Sequence, residues 1–279
     1  MNTFLLMANQ FSSQSITSMI AVALLCTVVP FAFAGYYKAK TGAKVSSFFI
    51  GMAFYFLFAL VAEGLFNSIV LRPLSGILNR QTHPVYYALY GAVIAGIFEE
   101  TGKYLGLKKC MNARPGRENA FLFGVGHGSF ETIAYGSSLF MGNIVIAFMV
   151  NSFGIDGYFE KLGITEHIAE QTKAIQSLIA ISPIENAAAG IERILALVFQ
   201  ASLTVFIYLA IHHAKLKPLF PIAVILHIIG YVPTYLSQVG VLKNLALHLC
   251  LTGAVVIFTA SYAYRMFHQV SDSEKEVTG

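Results

Sequence analysis

The stretch "GIFEETGKYLGL", residues 96–107, sets Glu99, Glu100 and Lys103 inside an otherwise apolar run. One ionisable side chain at the centre of a membrane helix costs about 2.5 to 3.5 kcal/mol on insertion scales. Three together would cost something near 10 kcal/mol unless they are paired, neutralised or facing water. A fold of ordinary, marginal stability does not carry that without a use. Lys103 stands three residues from Glu100 and four from Glu99, so it neutralises one carboxylate at a time. The other is left as a group that takes and returns a proton, which is the work of a general base.

The next apolar run holds "FGVGHGSFE". His127 and Glu131 are four apart and share a helix face, and Gly124 with Gly128 makes a G-x-x-x-G strip for close helix contact. A later run, "ILHIIGY", carries His227. Counted from the ends flanked by basic residues, Glu99, Glu100, His127 and His227 lie at similar depth in the inner half of the membrane. Three helices can therefore bring two carboxylates and two imidazoles to one point. That set supplies a base, a partner to orient a water, and a donor for a developing oxyanion. The remaining intramembrane ionisable groups read as structural: His248 as an interhelical hydrogen-bonder, Glu63 as a scaffold carboxyl, and Glu192 as the partner of Arg193 near the outer end of its helix.

The elements that must position these residues are membrane helices. Of the 279 residues, 56% are hydrophobic and only 11% charged, less than half the charge of a soluble domain. The fold class is all-α, polytopic. Apolar runs of membrane-crossing length fall at 16–37, 46–71, 84–107, 119–150, 183–211, 218–238 and 244–266, giving seven spans. The fourth is longer than a crossing needs and contains Gly136 and Gly142, so a kink, or eight spans, is the alternative. Lysines and arginines gather after the first, third, fifth and seventh runs, which places the N-terminus outside and the C-terminus in the cytosol. The net charge of +4 is thus a topology signal and asks for no nucleic acid.

Residues 1–270 read as a single integral membrane domain, with 271–279 a disordered tail. No Lys or Arg precedes Lys38, so the first run lacks the basic flank of a cleavable signal peptide and is expected to be retained. Within the outer segment 151–182, Ile168, Ile175, Leu178 and Ile179 share a face of an amphipathic helix lying on the surface. Ser182, Pro183 and Glu185 then form a capping box that starts the fifth span. Cys26, Cys110 and Cys250, without a C-x-x-C pair, read as three reduced, packed thiols.

"EETGK" reads as E-E-x-x-K, "HGSFE" as H-G-x-x-E, and Phe123-x-x-x-His127 precedes a later helix bearing His227. Over residues 91–231 this resembles the YhfC-type intramembrane peptidase family. That family is related to the CAAX prenyl endopeptidases and bacteriocin-immunity membrane proteases, with their pattern E-E-x-x-x-R, F-x-x-x-H and H-x-x-x-N. The resemblance implies that Glu99 or Glu100 activates the hydrolytic water with His127, and that His227 helps stabilise the oxyanion. It implies that Lys103 takes the place of the superfamily's arginine, one residue nearer, and orients the glutamates. Two positions depart from the pattern. Tyr231, whose hydroxyl can also donate, stands where the superfamily has Asn, and Gln200, eight residues after Glu192, stands where the resemblance leads one to expect histidine.

The expectation is an intramembrane endopeptidase in a bacterial-type plasma membrane that hydrolyses a membrane-embedded or lipidated peptide. Its catalytic set is Glu99, Glu100, His127 and His227, supported by Lys103, Glu131, Tyr231 and Glu192. The family name implies a metal, and Glu100, His127 and His227 are the candidate zinc ligands. There is no H-E-x-x-H, so glutamate-activated water without a metal stands beside that reading. The rivals are a non-catalytic membrane scaffold subunit and a proton-coupled transporter; no repeated broken-helix pair supports the latter.

Overall fold

A computed structural model describes residues 9–111 and 113–278, with side chains described to residue 269. Among the described residues the chain is helical, without a strand. We label the helices α1 Ser13–Thr41, α2 Val45–Val70, α3 Pro84–Cys110, α4 Arg117–Leu162, α5 Ile168–Ile179, α6 Pro183–His212, α7 Leu219–Gln238 and α8 Leu245–Thr278. Six stretches, at α1, α2, α4, α6, α7 and α8, are long and apolar enough to cross a membrane. The other expected span, α3, is equally long at 27 residues, but Glu99, Glu100 and Lys103 dilute its hydropathy. It opens on Pro84 and closes on Lys108 and Lys109, suiting the positions where a helix has free N–H and C=O groups.

Two helices change pitch where the hydrophobic pattern gives no sign of it. Phe56–Ala62 within α2 and Ile133–Ser137 within α4 are π-helical, and the latter begins two residues after Glu131. Gly136 lies in the second of these turns, and Gly142 lies in the regular helix after it. A second break, at Gly154 with φ 73°, interrupts α4 further on.

The contacts gather the chain into two compact units. The first comprises Met1–Val29 and Thr132–Arg193, the second Pro30–Glu131 and Ile194–Gly279. Every boundary falls inside a helix, so no change in composition marks it.

The first unit packs Met19, Val22 and Cys26 of α1 against Phe140, Ala147 and Val150 of α4. The amphipathic helix α5 lies on that cluster through Ile175, Leu178 and Ile179, while Ile168 is exposed. The capping box is present: the Ser182 amide donates to Glu185 Oε2 at 2.8 Å and the Glu185 amide to Ser182 Oγ at 3.3 Å. Of the cysteines only Cys26 is packed; Cys110 and Cys250 are free and exposed, a correction to the reading of three buried thiols. The α8 backbone runs on through 271–278, and Gly279 lies outside the described residues.

In the second unit α3 packs along α7, and α7 along α8. Lipid is as apolar as leucine, so close approach of small residues has to do what hydrophobic burial does in water. The G-x-x-x-G strip acts this way: a Cβ on Gly124 would lie 2.5 Å from Thr204 Oγ1, and one on Gly128 2.9 Å from Gln200 Cβ. A tighter contact joins α4 to α2, where a Cβ on Gly126 would meet the Phe48 carbonyl at 1.9 Å and one on Gly51 the Phe123 carbonyl at 1.9 Å. Gly126→Ala has no flexible side chain to displace, so we expect it to destabilise the protein by about 1–3 kcal/mol. The measurement is thermal unfolding in detergent, with Gly142→Ala, whose Cβ meets nothing within 4 Å, as the unaffected control.

Candidate active site

Four helices of the second unit meet at a buried polar cluster. α3 brings Glu99, Glu100 and Lys103, α4 brings His127 and Glu131, α6 brings Gln200, and α7 brings His227 and Tyr231. The depth matching made from sequence thus corresponds to contact in space. Glu99 retains 4% exposure, while Glu100, Lys103, His127, Gln200 and His227 have none.

Adjacent residues on a helix point about 100° apart, and the two glutamates use that angle to reach different partners. Glu100 Oε1 accepts from Lys103 Nζ at 2.6 Å and lies 2.7 Å from His227 Nδ1. A carboxylate already paired with an ammonium has no proton to give, so His227 Nδ1 is the donor, which leaves Nε2 directed elsewhere. That Nε2 lies 3.9 Å from Glu99 Oε1 and has no hydrogen-bond partner among the described residues.

Glu99 faces the other way. Its Oε2 accepts from Gln200 Nε2 at 2.7 Å and lies 3.2 Å from His127 Nε2. Both neighbours bear on the same oxygen, so Oε1 keeps its lone pairs toward His227. The His127 ring is held edge-on by Tyr55, with ring centroids 5.0 Å apart at 80°.

Glu131 is the third carboxyl. Tyr231 Oη lies 2.6 and 2.7 Å from its two oxygens, and Gln200 Nε2 donates to Oε2 at 2.8 Å. The Tyr231 ring stacks on His227, centroids 4.5 Å apart and planes 17° from parallel. The single Tyr231 proton is directed at Glu131.

The other ionisable groups weighed from sequence lie apart from these bonds. Glu192 belongs to the first unit, where Arg193 pairs with it at 2.9 Å. Glu63 Oε1 accepts from Asn67, which in turn accepts from Tyr90 Oη at 2.7 Å. His248 Nε2 lies 3.3 Å from Thr234 Oγ1, an interhelical contact of the kind expected. Tyr55 and the bridging role of Gln200 escaped the sequence reading. The available signal was polarity alone: a single amide within "LALVFQASLTVF" and a single phenol within "GMAFYFLFALV".

Fold and cluster together define a polytopic helical membrane protein with carboxylates, imidazoles and an ammonium buried in one unit. Residues 24–251 match the family described as YhfC intramembrane metalloprotease, and the chain belongs to that family. It is 30% identical over 261 residues to a Bacillus subtilis (strain 168) protein described as uncharacterized membrane protein YhfC, covering 92% of this chain and 99% of that one. No solved structure matches.

The family description implies a metal, and imidazole with carboxylate is a zinc-ligand chemistry. Among the described residues no three His, Cys, Asp or Glu donors converge where an ion could be held. Of the candidate ligands, Glu100 is engaged by Lys103 and His227 Nδ1, and His127 Nε2 is directed at Glu99. Each of these candidates still keeps one buried atom without a hydrogen-bond partner among the described residues, Glu100 Oε2, His127 Nδ1 and His227 Nε2, and these are the atoms that would face an ion; the chemistry below uses the protein's own groups.

Proposed function

We propose that the protein is an intramembrane endopeptidase in which Glu99 activates the hydrolytic water. The observation that carries this reading is the Glu99 carboxylate, held on Oε2 by Gln200 and His127 while Oε1 stands toward His227 Nε2. Glu99 also keeps the slight exposure that Glu100 lacks. Of the two glutamates the sequence could not separate, Glu99 is the base, and Glu100 is the counter-ion of Lys103 and the support of His227.

In the reaction, Glu99 Oε1 takes a proton from water as its oxygen bonds to the scissile carbonyl carbon. The C=O π electrons move onto the carbonyl oxygen. His227, bearing a proton on each nitrogen, donates from Nε2 to that oxyanion, and Glu100 offsets the imidazolium charge. Collapse of the intermediate restores C=O and breaks the C–N bond; the departing amine takes the proton from Glu99, which is thereby regenerated. Positioned proton transfer contributes about 10²–10⁴-fold, and charge stabilisation at the oxyanion adds to it.

The substrate class we assign is a membrane-embedded or lipidated peptide, since the base lies among apolar helices. The distribution of Lys and Arg supports a cytosolic C-terminus and an inner-leaflet approach, and the membrane-protein relative from Bacillus supports a bacterial-type plasma membrane. The test compares new protein N-termini in membranes of cells carrying wild type or the Glu99→Gln, Glu100→Gln double variant at equal, monodisperse expression. Cut sites confined to wild type are the expected result, and a chelator added to the purified protein leaves them unchanged. Identical N-termini under all conditions would turn the assignment to a non-catalytic scaffold subunit.

A further inference from the structure

We infer that Gln200 is the positioning residue of the general base, coupling the buried Lys103–Glu100 ion pair to Glu99; this rests on the reading of Glu99 as base. The orientation of its amide follows from chemistry. Lys103 Nζ donates to Gln200 and accepts nothing, so the atom facing it is Oε1. The amide nitrogen must then face away, toward Glu99 Oε2 at 2.7 Å, Glu131 Oε2 at 2.8 Å and Tyr231 Oη at 3.0 Å. One neutral side chain thereby accepts from the cation and donates to two carboxyls.

The base of the side chain is as firmly held as its end. α4 approaches so closely that a Cβ on Gly128 would lie 2.9 Å from Gln200 Cβ, and Thr204 Oγ1 donates to the Gln200 carbonyl at 2.8 Å. Gln200 itself has no exposure. The Lys103 charge polarises the amide and strengthens its N–H groups as donors, an effect that low surrounding dielectric enhances. With His127 it fixes Glu99 Oε2 and so selects Oε1 as the oxygen that takes the water proton. A neutral imidazole at this position could accept from Lys103 and donate once, but could not bridge both carboxyls. Gln200 is therefore an alternative way of holding the base.

The test measures kcat and KM on a cut site that separates wild type from Glu99→Gln. Gln200→Met keeps the volume and removes the amide. Gln200→Glu keeps the shape and the acceptor for Lys103 but loses both donors. Misplacing a reacting group by about 1 Å lowers rates on the order of 10²-fold. Both variants are expected to lose kcat on that scale with KM within about twofold, and Gln200→His, keeping one donor, to recover part of the loss. If Glu99→Gln cuts as well as wild type, the protease reading itself fails, and this inference with it. If Glu99→Gln is inactive while folded Gln200→Met or Gln200→Glu retains wild-type kcat, only the positioning role is overturned. Loss in KM alone, or equal loss in the His variant, also overturns it.

Discussion

Glu99→Gln removes about 10³-fold or more of kcat, within the range general-base transfer supplies, while leaving the protein folded. The substitution is isosteric and keeps an oxygen for Gln200 Nε2 and for His127. It removes a charge from a site of 4% exposure, which favours stability or leaves it unchanged. What it takes away is the ability to accept a proton from water at Oε1. Glu100→Gln is expected to behave differently. It strips the Lys103 ammonium of its counter-ion and deprives His227 Nδ1 of a charged acceptor, so both stability and rate fall. Single-turnover cleavage and thermal unfolding on the same preparations separate the two. A Glu99→Gln protein that cuts at the wild-type rate, or one that loses its fold as Glu100→Gln does, would remove Glu99 from the role assigned to it.

That contrast between neighbours is what the sequence could not supply. It located the three polar helices and the i,i+4 face of His127 and Glu131, because apolar run length and charge position survive in one dimension. Which glutamate faces His127 depends on the rotation of α3, and glycine contacts on several sides set that rotation. A Cβ on Gly96 would meet Ile228 at 2.9 Å, on Gly102 Phe58 at 2.7 Å, and on Gly106 Phe123 at 2.7 Å. A helix so surrounded has no polar face to reveal its orientation. Gln200 was legible only as a departure from a pattern, since its value lies in what three other helices bring to it. The π-helical turns left no trace for a related reason: a change of pitch inside a helix alters which residues face inward without altering composition.

Lys103 makes the sharpest prediction about stability, because its ammonium is fully buried and bears on both halves of the site. It donates to Glu100 Oε1 and to Gln200 Oε1, so one substitution disturbs the ion pair and the amide that braces the base. Lys103→Met leaves Glu100 with no exposure and His227 as its remaining hydrogen-bond partner. Breaking a buried pair from one side destabilises proteins by about 3–5 kcal/mol, which for a chain of this size corresponds to a fall in melting temperature of about 10 °C. Adding Glu100→Gln to Lys103→Met should restore most of that loss, since the pair is then neutral on both sides and the new amide oxygen still accepts from His227 Nδ1. Activity should not return with stability. The imidazolium that meets the oxyanion no longer has the Glu100 carboxylate at Nδ1, and Gln200 no longer has a cation to orient its amide. The double variant is therefore expected to melt near wild type yet cut at least tenfold more slowly, the scale of one charge-assisted hydrogen bond. Melting curves and kcat for the two single variants and the double variant close the cycle. A Lys103→Met protein as stable as wild type, or a double variant no more stable than Lys103→Met, would show that the ammonium is not held by Glu100 as described.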